Sequence, residues 1–139
     1  MIVRSEFTAT SAPIPQRLRL GPFCEWRDEV VDAIAPARTP DASIWERSRA
    51  VRDLERLMVP RVRQERARLS ALEERLDPRT RDRLWATGEL LELLHESLTQ
   101  DVRVPLRGVT FAAELDALVR ALDRWCEEAE LALRLAERN

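Results

Sequence analysis

Few residues in this chain have the chemistry to do work, and their spacing sorts them quickly. Glu92 and His95 form an E-x-x-H, nearly one helical turn apart, the spacing by which ferritin-like bundles bring a carboxylate and an imidazole to one metal pair. His95 is the one histidine in 139 residues. A centre of that kind needs further inward carboxylates. The last helix puts none on its apolar seam and the long central helix offers only Glu65, so a metal-binding bundle is the third of three readings, and no metal or cofactor is expected. The other role for His95 is structural, its ring N–H bonding the carbonyl of Arg56 that Pro60 leaves without a helical donor.

Arginine is the commonest functional group between residues 41 and 76. Projected at 100° per residue, Arg49, Arg52, Arg56 and Arg63 lie opposite the apolar stripe, while Arg61, Arg68 and Arg75 form a second row flanking it. Interleaved acids allow i,i+4 pairs such as Arg49 with Asp53 and Arg61 with Glu65, which describes a solvated face. The row Arg61, Arg68, Arg75 is also suited to bidentate phosphate contacts. That face lacks aromatic residues to stack bases, so any nucleic acid held there would be gripped by its backbone.

Nucleophilic chemistry has little to work with. Cys24 and Cys126 are far apart, in no C-x-x-C pattern, and Cys126 beside Trp125 reads as a packed thiol. Serines lack a base and there is no glycine-rich phosphate loop, so the chain is expected to be non-enzymatic.

These groups need a scaffold, and composition indicates which. Hydrophobic residues make up 45% and charged residues 35%, with three glycines and no lysine or tyrosine. That composition fits an all-α chain, because β proteins need more turn glycine and more aromatic and β-branched residues. The net charge of −2 provides no global attraction to nucleic acid or anionic lipid. It is unevenly spread: residues 1–83 hold 17 Arg against 14 acids (+3), and residues 84–139 hold 6 against 11 (−5). Met1–Phe7 has no apolar signal-peptide core, and no apolar run approaches the roughly 18–20 residues of a membrane span, so no membrane association and a cytoplasmic location are expected.

The pattern predicts one antiparallel bundle of about four helices over residues 21–139, preceded by an extended N-terminal arm over residues 1–20. A short helix runs from Gly21-Pro22 to about Ile34, with Phe23, Trp26, Val30 and Ile34 on one face. A long helix spans Asp41–Leu76. Ser43 and Glu46 fit a capping box at its start, and Ile44, Val51, Leu54, Met58, Val62, Leu69, Leu72 and Leu76 form its stripe, with a bend near Pro60. Asp77-Pro78 caps the third helix, which runs to about Gln100 with Leu84, Leu91, Leu94 and Leu98 inward and Trp85, Leu90 and Leu93 widening the stripe. Thr110 is expected to cap the last helix, whose heptad is Phe111, Leu115, Leu118, Leu122, Trp125, Ala129, Ala132 and Ala136.

Folding the helices back on one another puts His95 level with Val59 and Pro60, and Ala86 and Gly88 near Trp125. It leaves an overhang of roughly 15 Å from Ser43 onward. Ile44, Trp45 and Val51 in that overhang need a cover, from the first helix and the arm or from another copy. The first functional expectation is therefore a helical interaction or assembly subunit that self-associates or docks on a protein partner. The second is a small subunit of a nucleoprotein complex using the arginine row.

Overall fold

The computed structural model describes residues 23–102, 104 and 108–138. The arm expected over residues 1–20 lies outside the described residues. The described chain is all-α: α1 (Cys24–Ile34), α2 (Ile44–Leu57), α3 (Val59–Ser70), α4 (Pro78–Asp101) and α5 (Gly108–Arg138), with 3-10 turns at Ala35–Ala37 and Glu73–Arg75 and no strand among the described residues. Helices α2 and α3 are the two limbs of one bent helix, so the architecture is a four-helix bundle.

The bend has the cause expected of it. Proline lacks the N–H that would bond the carbonyl four residues back, and helical geometry slackens at Met58 (φ −95°, ψ −54°). The backbone nevertheless continues through the bend, with Met58 N–H donating to Leu54 O at 2.9 Å and Val62 N–H to Met58 O at 3.0 Å. From the side of α1, the Trp26 indole N–H donates to Leu57 O at 2.7 Å. That bond ties the first helix to the bend point and supplies a donor to a backbone carbonyl beside the bend.

Both limbs are shorter than the stripe implied. The helix expected from Asp41 starts at Ile44, and the residues before it form a turn closed by Ala42 N–H donating to Thr39 O at 3.1 Å. The capping box does start it: Glu46 N–H donates to Ser43 Oγ at 3.1 Å and Ser43 N–H to Glu46 Oε1 at 2.8 Å. At the other end α3 stops at Ser70, a 3-10 turn follows, and Leu76 is extended, its side chain still buried. Asp77 then caps α4 by accepting from Thr80 N–H at 2.6 Å. The last helix begins at Gly108, so Thr110 lies inside it and is not its cap.

The α4–α5 hairpin is the spine of the bundle. Every member of the Phe111–Ala136 heptad is buried, as are Leu84, Leu91 and Leu98 facing it. Leu94 and Trp85 are half-buried, while Leu90 and Leu93 stand in solvent, so the stripe of α4 is narrower than its leucines indicate. Ala86 is likewise exposed. Gly88 faces the core, where a Cβ would sit 3.4 Å from Trp125 Nε1 and 3.8 Å from Val62 Cγ1. Trp125 packs edge-on against Phe23 (5.3 Å) and Trp26 (5.8 Å), which in turn meet at 6.5 Å. Helix α1 runs antiparallel to α5, stitched by Arg27–Asp123 at 2.5 Å and, just beyond its end, by Arg38–Asp116 at 2.9 Å.

Candidate functional site

At the start of α2 the bundle ends before the apolar stripe does. Val51, expected as part of an uncovered overhang, is buried against the chain's own core. Ile44, two turns earlier, is 41% exposed, and Trp45 is 79% exposed. The α4–α5 connection and the first turn of α5 come to the same end, bringing Val104 (38%) and Val109 (70%). Arg47 joins these three pieces: its Nη1 donates to Val104 O at 3.2 Å and its guanidinium lies 5.8 Å from the centre of the Phe111 ring.

Arg47 is itself 4% exposed. Its Nε has no hydrogen-bond partner, and among the described residues no carboxylate pairs with it. A buried guanidinium answered only by a carbonyl and a ring keeps most of its desolvation cost. The spacing held the signal: residues 47, 50, 51, 54 and 58 are the stripe of α2, and Arg47 occupies a stripe position that a count of arginines as a solvated face passes over.

The arginine row of α3 is arranged differently. Glu65, also on the buried stripe, receives Arg61 Nε at 3.2 Å and has Arg68 Nε 3.5 Å from its other oxygen. The Arg61 guanidinium carbon lies 5.4 Å from the Phe23 ring centre and 5.5 Å from that of Trp26, so its position is fixed by two rings as well as by the carboxylate. Arg75 is exposed on the 3-10 turn after α3. Arg61 and Arg68 thus both face the Glu65 carboxylate, which lowers the field they present to a phosphate. On the opposite side, Arg49 and Arg56 flank Asp53 (4.0 and 3.3 Å) and Arg63 reaches Glu92 (3.2 Å).

His95 lies level with Val59, as folding about Asp77 requires, in a groove of about 660 Å³ with Glu55, Arg63 and Glu92. Its Nε2 is buried without a hydrogen-bond partner, 4.0 Å from Glu55 Oε2. The expected bond to the Arg56 carbonyl is therefore not made. The kink is served from the other side by Trp26, whose indole the sequence had placed only as a core group. Glu92 turns to Arg63, and no three metal-ligating side chains gather among the described residues.

Cys24 and Cys126 line one groove of about 450 Å³ between α1 and α5, with Arg27, Asp123 and Glu130. Burial raises both thiols, aided by Asp28 at Cys24 and by Asp123 at Cys126, which is pushed up to about 12. Both stay protonated at neutral pH, the opposite of an activated nucleophile. Burial likewise raises Glu130, against the pull of Arg134 and of the Phe23 N–H. No family model, curated protein or solved structure matches the chain. No helix among the described residues is long and apolar enough to cross a membrane.

Proposed function

We propose that the chain is a non-enzymatic helical assembly subunit that self-associates or docks on a protein partner through the end of the bundle where α2, the α4–α5 connection and α5 meet. One observation carries this reading. Trp45, an indole 79% exposed, stands beside Ile44, 41% exposed, in the first turn of α2. An indole can bury up to about 250 Å², so Trp45 alone leaves roughly 200 Å² of mostly apolar surface in water. An exposed tryptophan next to an exposed isoleucine has the composition of a binding hot spot.

Sedimentation of the full chain over a range of concentrations tests the reading. A weight-average mass that climbs with concentration, and a Trp45→Glu variant that stays monomeric with unchanged helix content, is the expected pair of results. A wild-type chain that remains monomeric throughout, and behaves identically to Trp45→Glu, overturns self-association through this face.

A further inference from the structure

Two helix faces stand in solvent and carry rows of opposite charge. On α2, Trp45, Arg49, Arg52 and Arg56 recur at steps of four, three and four, which keeps them on one side of the helix, opposite its buried stripe, and all four are exposed. Asp53 lies 4.0 Å from Arg49 and 3.3 Å from Arg56, and Arg52 makes no ion pair among the described residues. Glu29 and Asp32 of α1 line the same groove as Arg49 and Arg56 without pairing with either.

On α4, Ala86, Leu90, Leu93 and Ser97 recur at the same steps, again on the side away from the buried stripe. Leu90 is 38% and Leu93 58% exposed. Glu89 and Glu96 stand beside the leucines, exposed and, among the described residues, without an ion pair. The arginines that share their groove are engaged elsewhere, Arg63 with Glu92 at 3.2 Å and Arg66 over the Trp85 ring at 5.6 Å.

Neither row suits its own counterpart on a second copy. Leucine row on leucine row brings Glu89 and Glu96 against the same two acids, and the α2 row on itself gathers six guanidinium groups, so like charge rejects both pairings. The α2 row on the α4 row is different. Arginine stems cover apolar surface while their heads reach for charge, so Arg49 and Arg52 can lie along Leu90 and Leu93 and meet Glu89 and Glu96. The steps read the same in either direction. Whichever way the helices run, the indole of Trp45 then falls opposite a small residue, Ala86 or Ser97. Within one chain the two rows cannot meet, because each lies outside the core that α2 and α4 share.

We infer that the α2 row of one copy seats on the α4 row of another, so that self-association joins unlike surfaces. Leu90, Leu93 and Trp45 supply the apolar contact, and the exposed ion pairs, each worth little alone, select the register. The inference rests on the reading of Trp45 as a docking residue and names the surface that receives it.

The test is sedimentation of the full chain as wild type, Trp45→Glu, Leu93→Glu and an equal mixture of the two variants. Both positions are exposed, and circular dichroism is expected to show wild-type helix content in each variant. Each substitution alone is expected to weaken association at least about tenfold, the scale of a lost hot-spot residue. The mixture is expected to regain a dimer, because the intact α2 row of the Leu93→Glu copy meets the intact α4 row of the Trp45→Glu copy. Wild-type association is expected to fall at least about threefold between roughly 50 and 500 mM salt as the exposed pairs are screened. A mixture no heavier than its components overturns the pairing of unlike faces. So does Leu93→Glu associating as wild type does, although Trp45→Glu remaining monomeric in that case leaves Trp45 as a docking residue. An association unmoved or strengthened by salt overturns the charge-matched register, and a wild type that is monomeric at every concentration removes self-association and this pairing with it.

Discussion

Replacing Gly88 with alanine tests the packing of the whole bundle at one point, because three elements meet there. Gly88 lies inside α4, where glycine costs about 0.8–1 kcal/mol relative to alanine through backbone entropy. A Cβ at that position meets Trp125 Nε1 at 3.4 Å, Trp125 Cδ1 at 3.7 Å and Val62 Cγ1 at 3.8 Å, contacts at the close end of ordinary van der Waals range. The methyl therefore fits with a shift of a tenth of an ångström or so and gains dispersion contacts on two sides. We expect Gly88→Ala to raise stability by about 0.5–1 kcal/mol. With an unfolding entropy of about 2.1 cal/mol/K per residue, that is a Tm increase of roughly 2–3 °C, readable by calorimetry or circular dichroism. Gly88→Leu adds three further carbons where the indole already stands and should cost more than about 2 kcal/mol, with a changed near-ultraviolet tryptophan signal. If Gly88→Ala is destabilising by more than about 1 kcal/mol, or Gly88→Leu is neutral, then Trp125 does not sit against α4 as described and the α4–α5 packing is wrong.

Other consequences are as direct. Arg61→Gln should destabilise by about 1–3 kcal/mol in urea unfolding, because it leaves the buried Glu65 carboxylate with a single, longer partner. Arg68→Gln, at 3.5 Å and more exposed, should cost less than about 1 kcal/mol, and equal costs would refute the assignment of Arg61 as the main partner. The Thr80 N–H and hydroxyl hold the Asp77 carboxyl below its usual value, so its contribution is complete above about pH 4 and is lost as pH falls through the depressed folded value. Thermal melts from pH 6 down to 2.5 should show an acid limb that Asp77→Asn flattens. Native-state alkylation with iodoacetamide should modify Cys24 slowly and Cys126 slower still, with thiolate at Cys126 about a thousandfold scarcer than its ordinary value allows, and both should react alike in denaturant.

What could be read from the chain was whatever a period or a short-range cap dictates. The Phe111–Ala136 heptad, the Ser43–Glu46 box, the Asp77 cap and the placing of Gly88 beside Trp125 all follow from local chemistry and the rise of a helix, and all are found. Errors arose where a residue's type was allowed to override its position. Glu65, the one inward carboxylate the long helix offers, is buried on the stripe as well as paired with Arg61, while Arg47, in neither arginine row, is buried on the stripe of α2. Ile44 has the right type and the right spacing but is 41% exposed. Spacing along one helix says nothing of where its neighbours stop. The partner of the kink was missed for the same reason: His95 was near enough by level, but Trp26 approaches from α1, whose position is set by long-range packing on α5.

The two buried charges show why the ends of the bent helix differ in what they can do. Glu65 has its compensation built in, two guanidinium groups from its own helix, one of them also against Phe23 and Trp26. Arg47 has a carbonyl and the Phe111 ring, with its Nε left over. A hydrophobic side chain at position 47 would pack between Ala50, Val51 and Phe111 without that desolvation cost, and replacing buried ionic groups by apolar ones of similar volume is often neutral or stabilising. For an isolated bundle the arginine is therefore the worse choice, and the surrounding exposed Trp45 and Val109 are worse again. The α3 half of the helix is complete as folded, whereas the α2 end keeps a buried guanidinium nitrogen without a hydrogen-bond partner.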